Sequence, residues 1–562
     1  MAGFRIGECP VDGCRGKPLF DMPVVGDVEL IIEIDEFVGT HLPVNGKDKD
    51  GKEESGNYLF PHRGIQLYPD KPPVFFWLLA ACYQVIGSWR WSFLLPSLLS
   101  GMVVLHLTWD AGRRLWNPRA GLWAAAAVLF NVQFVYQFKR AQIDPTLVLF
   151  TTIALYGFIR HLLLGPSWRW FYAGCFFSGL GIITKGVGFL PLLIFIPYLA
   201  LRFVKADGLS VQGKSSPWRW SAGLFFFLAA MAIWLVPLLW TVSHGGNTEQ
   251  QAYLNDILFR QTAKRYANPW GHHEPFWYFG EIVLLFWLPF SMVLFWLWKP
   301  WYQALRIKDT KVILPLAWGI LVIVFFSLSS GKRDMYILPA LPAFALAAAP
   351  LMQALSERNR FRYALFALIA FLSLAMLALG LQALVGEPGF EKKFMLERGA
   401  ALLDPLWWML VVVGGTSLLA SLFFRHKKPL HACLVFFVLL WSGYSFVAYP
   451  VLDGANSSKD VMLRARELAG TETTIGLVDW KEQNLLQAKG ETTDFGFLES
   501  PATQLQKGVA WLKVSPQKRR LLLQSSKQTQ CVDFNSSDAV SLGNANRRSW
   551  WLIGEQATAA CR

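Results

Sequence analysis

Apolar runs of 15 to 23 residues, separated by short polar links, fill the chain from residue 92 to residue 452. About twelve can be delimited, near 92–109, 120–138, 145–164, 170–184, 187–204, 221–242, 277–298, 312–329, 335–352, 363–385, 406–424 and 430–452. A helix crosses ~30 Å of hydrocarbon in about 20 residues, and shorter spans are tolerated where the bilayer thins. The runs are too long for strands and do not alternate, so the pattern predicts membrane-crossing α-helices. Beyond residue 453 the pattern changes. SSKDVMLRARELAG reads as a helix, TTIGLVDW and SWWLIG read as strands, and residues 453–562 form a small α/β domain. Residues 1–60 are polar, and their one apolar patch, VELIIEI, follows Asp27 and is broken by Glu29 and Glu33. The expected organisation is therefore an atypical N-terminal segment (1–60), a polytopic helical domain (61–452) and the α/β domain (453–562).

Composition sharpens this picture. The chain is 54% hydrophobic and 15% aromatic, and its 16% charged residues fall well below the ~25% of soluble domains. A soluble enzyme and a disordered chain are both excluded. The net charge of +14 comes from clusters between apolar runs, not from a continuous basic surface, so no nucleic-acid partner is expected. Alternate loops carry unequal charge. Those with Arg113, Arg114 and Arg119; Arg160 and Arg169; Arg202, Lys205, Lys214 and Arg219; Lys299, Arg306, Lys308 and Lys311; Arg358, Arg360 and Arg362; and Arg425, Lys427 and Lys428 hold 19 basic residues, and the others hold 11. The positive-inside rule puts the richer set in the cytoplasm and the C-terminal domain outside. Parity then makes the first visible span, 92–109, run inward. The segment before it has neither a signal peptide nor a spanning helix, so either a first helix is missing, through a truncated or frame-shifted start rather than a lineage variant, or the orientation is the reverse.

Cys82, Cys175 and Cys433 sit in apolar runs and read as packing residues, whereas Cys531 and Cys561 are able to pair if their domain is external. Cys9 and Cys14 have loose metal-site spacing without a second ligand pair. The polar clusters stand at the predicted external helix ends: Tyr68, Asp70 and Lys71; Lys139, Arg140 and Asp144; Lys185; Arg260, Lys264, Arg265, His272, His273 and Glu274; Lys332, Arg333, Asp334 and Tyr336. A single Lys or Arg at a helix end commonly reaches for lipid phosphate. Several clusters on the side that the positive-inside rule depletes argue instead for a bound phosphate or pyrophosphate. His272 and His273 beside Glu274 are compatible with metal but more simply make a hydrogen-bonded loop. Asp144, beside Lys139 and Arg140, is the sharpest acidic candidate, with a plain helix N-cap ahead of Pro145 as the competing account.

Read in order, LYPDKPPVFFWLLA, LLPSLLSG, DAGRRLW, RAQIDPTL, ITKGVGFLPLL, KRYANPWGHHEPFWYF and FFSLSSGKRDMYILPALP resemble the bacterial aminoarabinose transferase branch of the protein mannosyltransferase-like superfamily, over Gly56 to Leu468. The resemblance implies a GT-C membrane glycosyltransferase of roughly thirteen spans with an external soluble domain, so the first span is the one not seen. It implies a polyprenyl-phosphate-linked sugar as donor and lipid A, or another envelope glycolipid, as acceptor, at the outer face of the bacterial inner membrane. It also implies an Asp-Glu pair in the first external loop. Asp35 and Glu36 are the only match, and no helix precedes them.

In such a transfer, positive charge grows at the anomeric carbon and negative charge on the departing phosphate, so carboxylates and cations are needed on opposite sides. On the resemblance, Asp144, Asp35 and Glu36 are the catalytic carboxylates. Lys71, Arg260, Arg265, Lys332 and Arg333 hold phosphate with Tyr336 beside them, and Tyr68, Asp70, Arg140, Lys185, Lys264, His272, His273 and Glu274 complete the substrate site. No cofactor is required with certainty and a divalent metal stays open. No Gly-rich nucleotide loop stands out, consistent with a lipid-linked donor. Two alternatives remain at this level: a protein O-mannosyltransferase-like enzyme, and a non-catalytic or transport protein for lipid-linked sugars.

Overall fold

A computed structural model describes residues 58–63, 66–210, 217–258, 274–329, 331–386, 389, 403–525, 529–545 and 548–561, together with the paired strand segments Gly46–Lys47 and Glu53–Glu54. The chain divides into two compact units. One comprises Asn57–Pro61 and Leu67–Arg358, and the other includes His62–Gln66 and Asn359–Arg562.

The first unit is a helical bundle. Its helices are α1 (Val74–Ile86), α2 (Trp89–Leu115), α3 (Pro118–Leu129), α4 (Val132–Phe138), α5 (Ile143–Leu163), α6 (Trp168–Lys185), α7 (Phe195–Phe203), α8 (Pro217–Ser243), α9 (Thr248–Asn255), α10 (Tyr278–Phe286), α11 (Phe290–Arg306), α12 (Thr310–Leu328) and α13 (Leu341–Glu357). Short 3-10 turns, Leu190–Ile194 and Asp334–Ala340, lead into α7 and α13. Asparagines start three of the helices, Asn247 capping α9 by accepting from Gln250 N at 2.8 Å. Asn117 accepts from Ala120 N at 2.9 Å ahead of Pro118, and Asn131 accepts from Phe134 N at 3.2 Å.

Among the described residues, eight helices are long and apolar enough to cross a membrane, and two further pairs, α3/α4 and α10/α11, become spans if their bends of 68° and 111° are counted within one crossing. Ten of the twelve predicted runs are thus accounted for. The other two differ for physical reasons. Run 170–184 became α6, whose ends carry Arg169 and Lys185 and whose middle is rich in Gly and Ser. Run 187–204 became the 3-10 turn Leu190–Ile194 continued by α7, together roughly 23 Å long at ~2.0 and ~1.5 Å per residue, short of the hydrocarbon thickness.

Membrane helices gain little from hydrophobic association in lipid and depend on close backbone approach at small residues. Gly157 on α5 lies against α6, where an added Cβ would come within 2.3 Å of the Trp170 carbonyl oxygen. Gly179 on α6 meets α8 in the same way, 2.3 Å from the Phe227 carbonyl oxygen.

The second unit contains the helices α14 (Asn359–Gly386), α15 (Asp404–Phe424), α16 (Pro429–Gly443) and α17 (Tyr449–Asn456), then the α/β domain. That domain begins with α18 (Lys459–Ala469) and continues through β1 (Thr474–Leu477), α19 (Glu482–Gln487), β2 (Thr492–Asp494), α20 (Pro501–Val514), β3 (Arg519–Gln524), β4 (Ala539–Ala545) and β5 (Arg548–Ile553). The sheet order is β2-β1-β3-β5-β4; the first three strands are parallel, and β5 is antiparallel to both β3 and β4. Strand periodicity sorts the core into two layers. Leu522 faces Val461, Met462 and Ala465 of α18, whereas Leu521 and Leu523 face Leu505, Val509 and Leu512 of α20. The expected α/β character is therefore present. Cys531 and Cys561 are joined in a disulfide, Cys175 and Cys433 are buried, and Cys82 is only half-buried.

Gly157→Ala is expected to overpack the α5–α6 seam and cost about 1–3 kcal/mol. Gly280→Ala, where an added Cβ meets nothing within 4 Å, is the control. Melting of the detergent-solubilised protein should fall for the first variant and stay at the wild-type value for the second.

Candidate functional site

The site grows from the two ends of one helix pair. After α4 the chain turns through Lys139–Ala141, Gln142 takes an extended conformation as the N-cap residue of α5, and Asp144 falls in the first helical turn next to Pro145. Asp144 is thus not the N-cap. Its carboxylate instead receives both short bonds from Lys185 Nζ, 2.6 Å to Oδ1 and 2.7 Å to Oδ2, and the two side chains are only 7% and 13% exposed. Lys185 is the last residue of α6, which ends at Gly186 in a left-handed conformation (φ 72°). An acid in the first turn of one helix and a base in the last turn of its neighbour both suit the helix dipoles.

The turn before α13 closes a third side. Lys185 Nζ stands 5.1 Å from the centre of the Tyr336 ring, and that ring packs on Phe326. Asp334, two residues earlier, is within electrostatic reach of Asp144. It is held by α4: Gln133 Nε2 donates to its backbone oxygen at 2.7 Å, and Gln137 Nε2 donates to Oδ2 at 3.3 Å. Gln133 in turn accepts from Trp287 Nε1 at 2.8 Å. Lys332 is buried and donates to the Glu274 carbonyl oxygen at 2.7 Å, while the Tyr278 side chain faces the acidic groups of Asp334, Glu274 and Glu281.

Tyr68 and Lys71 are buried, at 2% and 3% exposure, in the segment between Leu67 and Val74, and Asp70 is half-buried. Leu67 and Val74 pack in one apolar cluster with Phe150 of α5 and Ile183 of α6, which brings this segment to the same end of the bundle as Asp144 and Lys185. Leu67 N also donates to Glu249 at 3.2 Å. Arg140 is buried with its guanidinium 3.4 Å from the centre of the Tyr136 ring. Arg333 and Tyr336 are half-buried, and Glu274 is exposed. Asp35, Glu36, Arg260, Lys264, Arg265, His272 and His273 lie outside the described residues.

Sequence reasoning paired Asp144 with its neighbours Lys139 and Arg140; the cation that grips it is Lys185, 41 residues away. The buried amides Gln133 and Gln137 went unnoticed because neither is charged. Their only signal was two polar side chains four apart in an otherwise apolar helix. The Arg-Arg pair of DAGRRLW belongs elsewhere: Asp110 accepts from Arg113, Arg114 and Tyr156, each at 2.5 Å, near the opposite end of α5. Among the described residues, no group of three His, Cys, Asp or Glu side chains is arranged to hold a metal.

Removing one partner of a buried ion pair strands the other charge at a cost of about 3–5 kcal/mol. Lys185→Met is therefore expected to lower stability more than Asp144→Asn/Lys185→Met together. A thermal-melting double-mutant cycle reads this as a coupling of the same sign and order.

Residues 70–236, which contain Lys71, Arg140, Asp144 and Lys185, match the family described as dolichyl-phosphate-mannose-protein mannosyltransferase. Among curated relatives, the undecaprenyl phosphate-alpha-4-amino-4-deoxy-L-arabinose arabinosyl transferase 2 of Pseudomonas fluorescens is 28% identical over 343 residues, 59% of this chain and 58% of that protein. The corresponding transferase of Pseudomonas aeruginosa strain UCBPP-PA14 is 27% identical over 304 residues, 52% of this chain and 51% of that protein. The chain thus spans just over half the length of the curated relatives it matches. The crystal structure of ArnT from Cupriavidus metallidurans bound to undecaprenyl phosphate superposes with a TM-score of 0.69 over 94% of both chains at 18% identity. The apo form gives 0.67 over 95% of both chains at 17% identity. The chain thus has the fold of the ArnT structures, and its residues 70–236 are similar to the mannosyltransferase family.

Proposed function

We propose that the protein is a glycosyltransferase that moves a 4-amino-pentose from a polyprenyl-phosphate carrier to lipid A. The observation that carries the reading is the buried Asp144–Lys185 pair, with Tyr336 and Lys332 at the same end of the bundle, in a chain of this fold. The relatives' printed activity supplies the sugar and carrier.

The chemistry follows from charge. The bond between the anomeric carbon and the carrier phosphate oxygen breaks, a lipid A phosphate oxygen forms the new bond to that carbon, and the configuration inverts. The attacking phosphate is already anionic, so no strong general base is required. Asp144, aimed by Lys185, stabilises the positive charge at the anomeric carbon or orients the sugar. Lys71, Lys332 and Arg333, with Arg260 and Arg265, receive the departing phosphate, and Tyr336 donates a hydrogen bond near it. Asp35 and Glu36 would be the second acidic pair. Tyr68, Asp70, Arg140, Lys264, His272, His273 and Glu274 complete the walls. Preorganised charge and positioning supply most of the rate under this scheme.

The external orientation belongs to the same proposal. A disulfide between Cys531 and Cys561 is in keeping with an oxidising compartment, which for a bacterial inner-membrane protein is the periplasm. The domain boundaries at residues 60/61 and 452/453 are proposed with it.

Two experiments test the reading. Expression in a bacterium whose own lipid A lacks amino-pentose should add one amino-pentose mass to lipid A, and Asp144→Asn should reduce that product by about 100-fold or more. Unmodified lipid A with wild-type protein in the membrane and donor supplied contradicts the reading. Without reductant, a membrane-impermeant thiol reagent should leave Cys531 and Cys561 unlabelled; after an impermeant reductant it should label both. Labelling only after the inner membrane is opened would reverse the proposed orientation.

A further inference from the structure

Asp334 differs from the other charged groups of the site. Asp144 is neutralised by Lys185 at 2.6 Å, whereas among the described residues no Lys or Arg is ion-paired with Asp334. Its partners are neutral: the Gln137 amide at 3.3 Å and backbone groups of its own turn. Asp144 and Lys185 offset one another, so Asp334 adds a further carboxylate to this half-buried corner, on the same turn as Lys332 and Arg333.

A second, independent observation lies on Gln137. This side chain is 99% buried, being 1% exposed, and its Oε1 has no hydrogen-bond partner. The sense of the amide is fixed, because reversing it would point the carbonyl oxygen at the Asp334 carboxylate. A buried carbonyl acceptor without a donor costs about 1–3 kcal/mol unless something fills it. One planar amide thus offers its N–H to the carboxylate and leaves its oxygen beside it without a donor. Gln133 holds the Asp334 backbone at 2.7 Å and is itself fixed by Trp287, so α4 pins this corner at two points.

Resting on the transferase reading above, we propose that Asp334 and Gln137 form the subsite for the ammonium group of the transferred amino sugar. An ammonium carries three N–H donors and one positive charge. It satisfies the Gln137 oxygen and the Asp334 carboxylate at once and offsets the carboxylate charge. A sugar with a hydroxyl in place of the amine leaves the carboxylate uncompensated, so the corner discriminates by charge rather than by shape. Asp334 is a specificity residue in this account, and Gln137 is a positioning residue acting through it.

The test uses the purified full-length protein with two donors, a polyprenyl-phosphate 4-amino-pentose and the same compound with a 4-hydroxyl. Wild type is expected to prefer the amino donor by about 30-fold or more in kcat/KM, the range that loss of a paired buried polar group reaches. Asp334→Asn should lose that preference, lowering kcat/KM for the amino donor at least about 10-fold more than for the hydroxyl donor. Asp334→Glu should recover part of it, and Gln137→Met should lower the ratio several-fold. Equal losses for both donors in Asp334→Asn would make the residue structural and overturn the subsite. So would a wild type that uses both donors equally. Bare polyprenyl phosphate, followed by its effect on melting temperature, separates the two levels. A wild type that neither binds it nor transfers either sugar defeats the transferase reading and the subsite together. One that binds it and transfers both sugars alike defeats the subsite alone.

Discussion

The buried ion pair between Asp144 and Lys185 is the constraint on which the rest of the site depends. Two charges removed from water are tolerable only while they stay in contact, with the carboxylate receiving two bonds from one ammonium. That contact exists only if the start of α5 and the end of α6 remain side by side. The close approach of Gly157 to the Trp170 backbone holds the same two helices together near their opposite ends. The helix dipoles favour each charge where it stands.

Around this pair the site gathers charges of both signs. Lys71 and Lys332 are buried cations in segments that meet the same helix ends, Lys332 donates to the Glu274 carbonyl oxygen, and Asp334, Glu274 and Glu281 act on Tyr278. In the proposed transfer both signs have a use, because opposite charges develop at the two ends of the breaking bond. The Tyr336 ring stands 5.1 Å from Lys185 Nζ. A fold does not fix its donor, and in the proposed scheme the corner between α4 and the turn before α13 sets selectivity.

Much of the architecture was legible in the sequence, since hydrocarbon thickness imposes a run length that helices must meet. The α/β domain was legible too, because SSKDVMLRARELAG reads as the helix α18 and TTIGLVDW and SWWLIG read as the strands β1 and β5, whereas the run Leu521–Leu523 sorts onto two faces only once β3 is seen in the sheet. Run length did not separate true spans from Leu190–Phe203, which is apolar but too short. Within the site, residue types were readable and partnerships were not. Asp144 has Lys139 and Arg140 close in sequence, yet the fold supplies Lys185, and nothing in linear spacing encodes that choice. Gln133 and Gln137 escaped notice because an uncharged amide in an apolar helix gains meaning only once Asp334 and Trp287 are seen against it.

The most direct test of the central claim is a single-turnover experiment on purified Asp144→Asn loaded with radiolabelled polyprenyl-phosphate amino-pentose and presented with lipid A. The account predicts that the variant still binds the donor and fails to transfer the sugar, with turnover reduced by about 100-fold or more. Turnover within about 3-fold of wild type by a stably folded variant would contradict it and remove the Asp144–Lys185 pair from the chemistry.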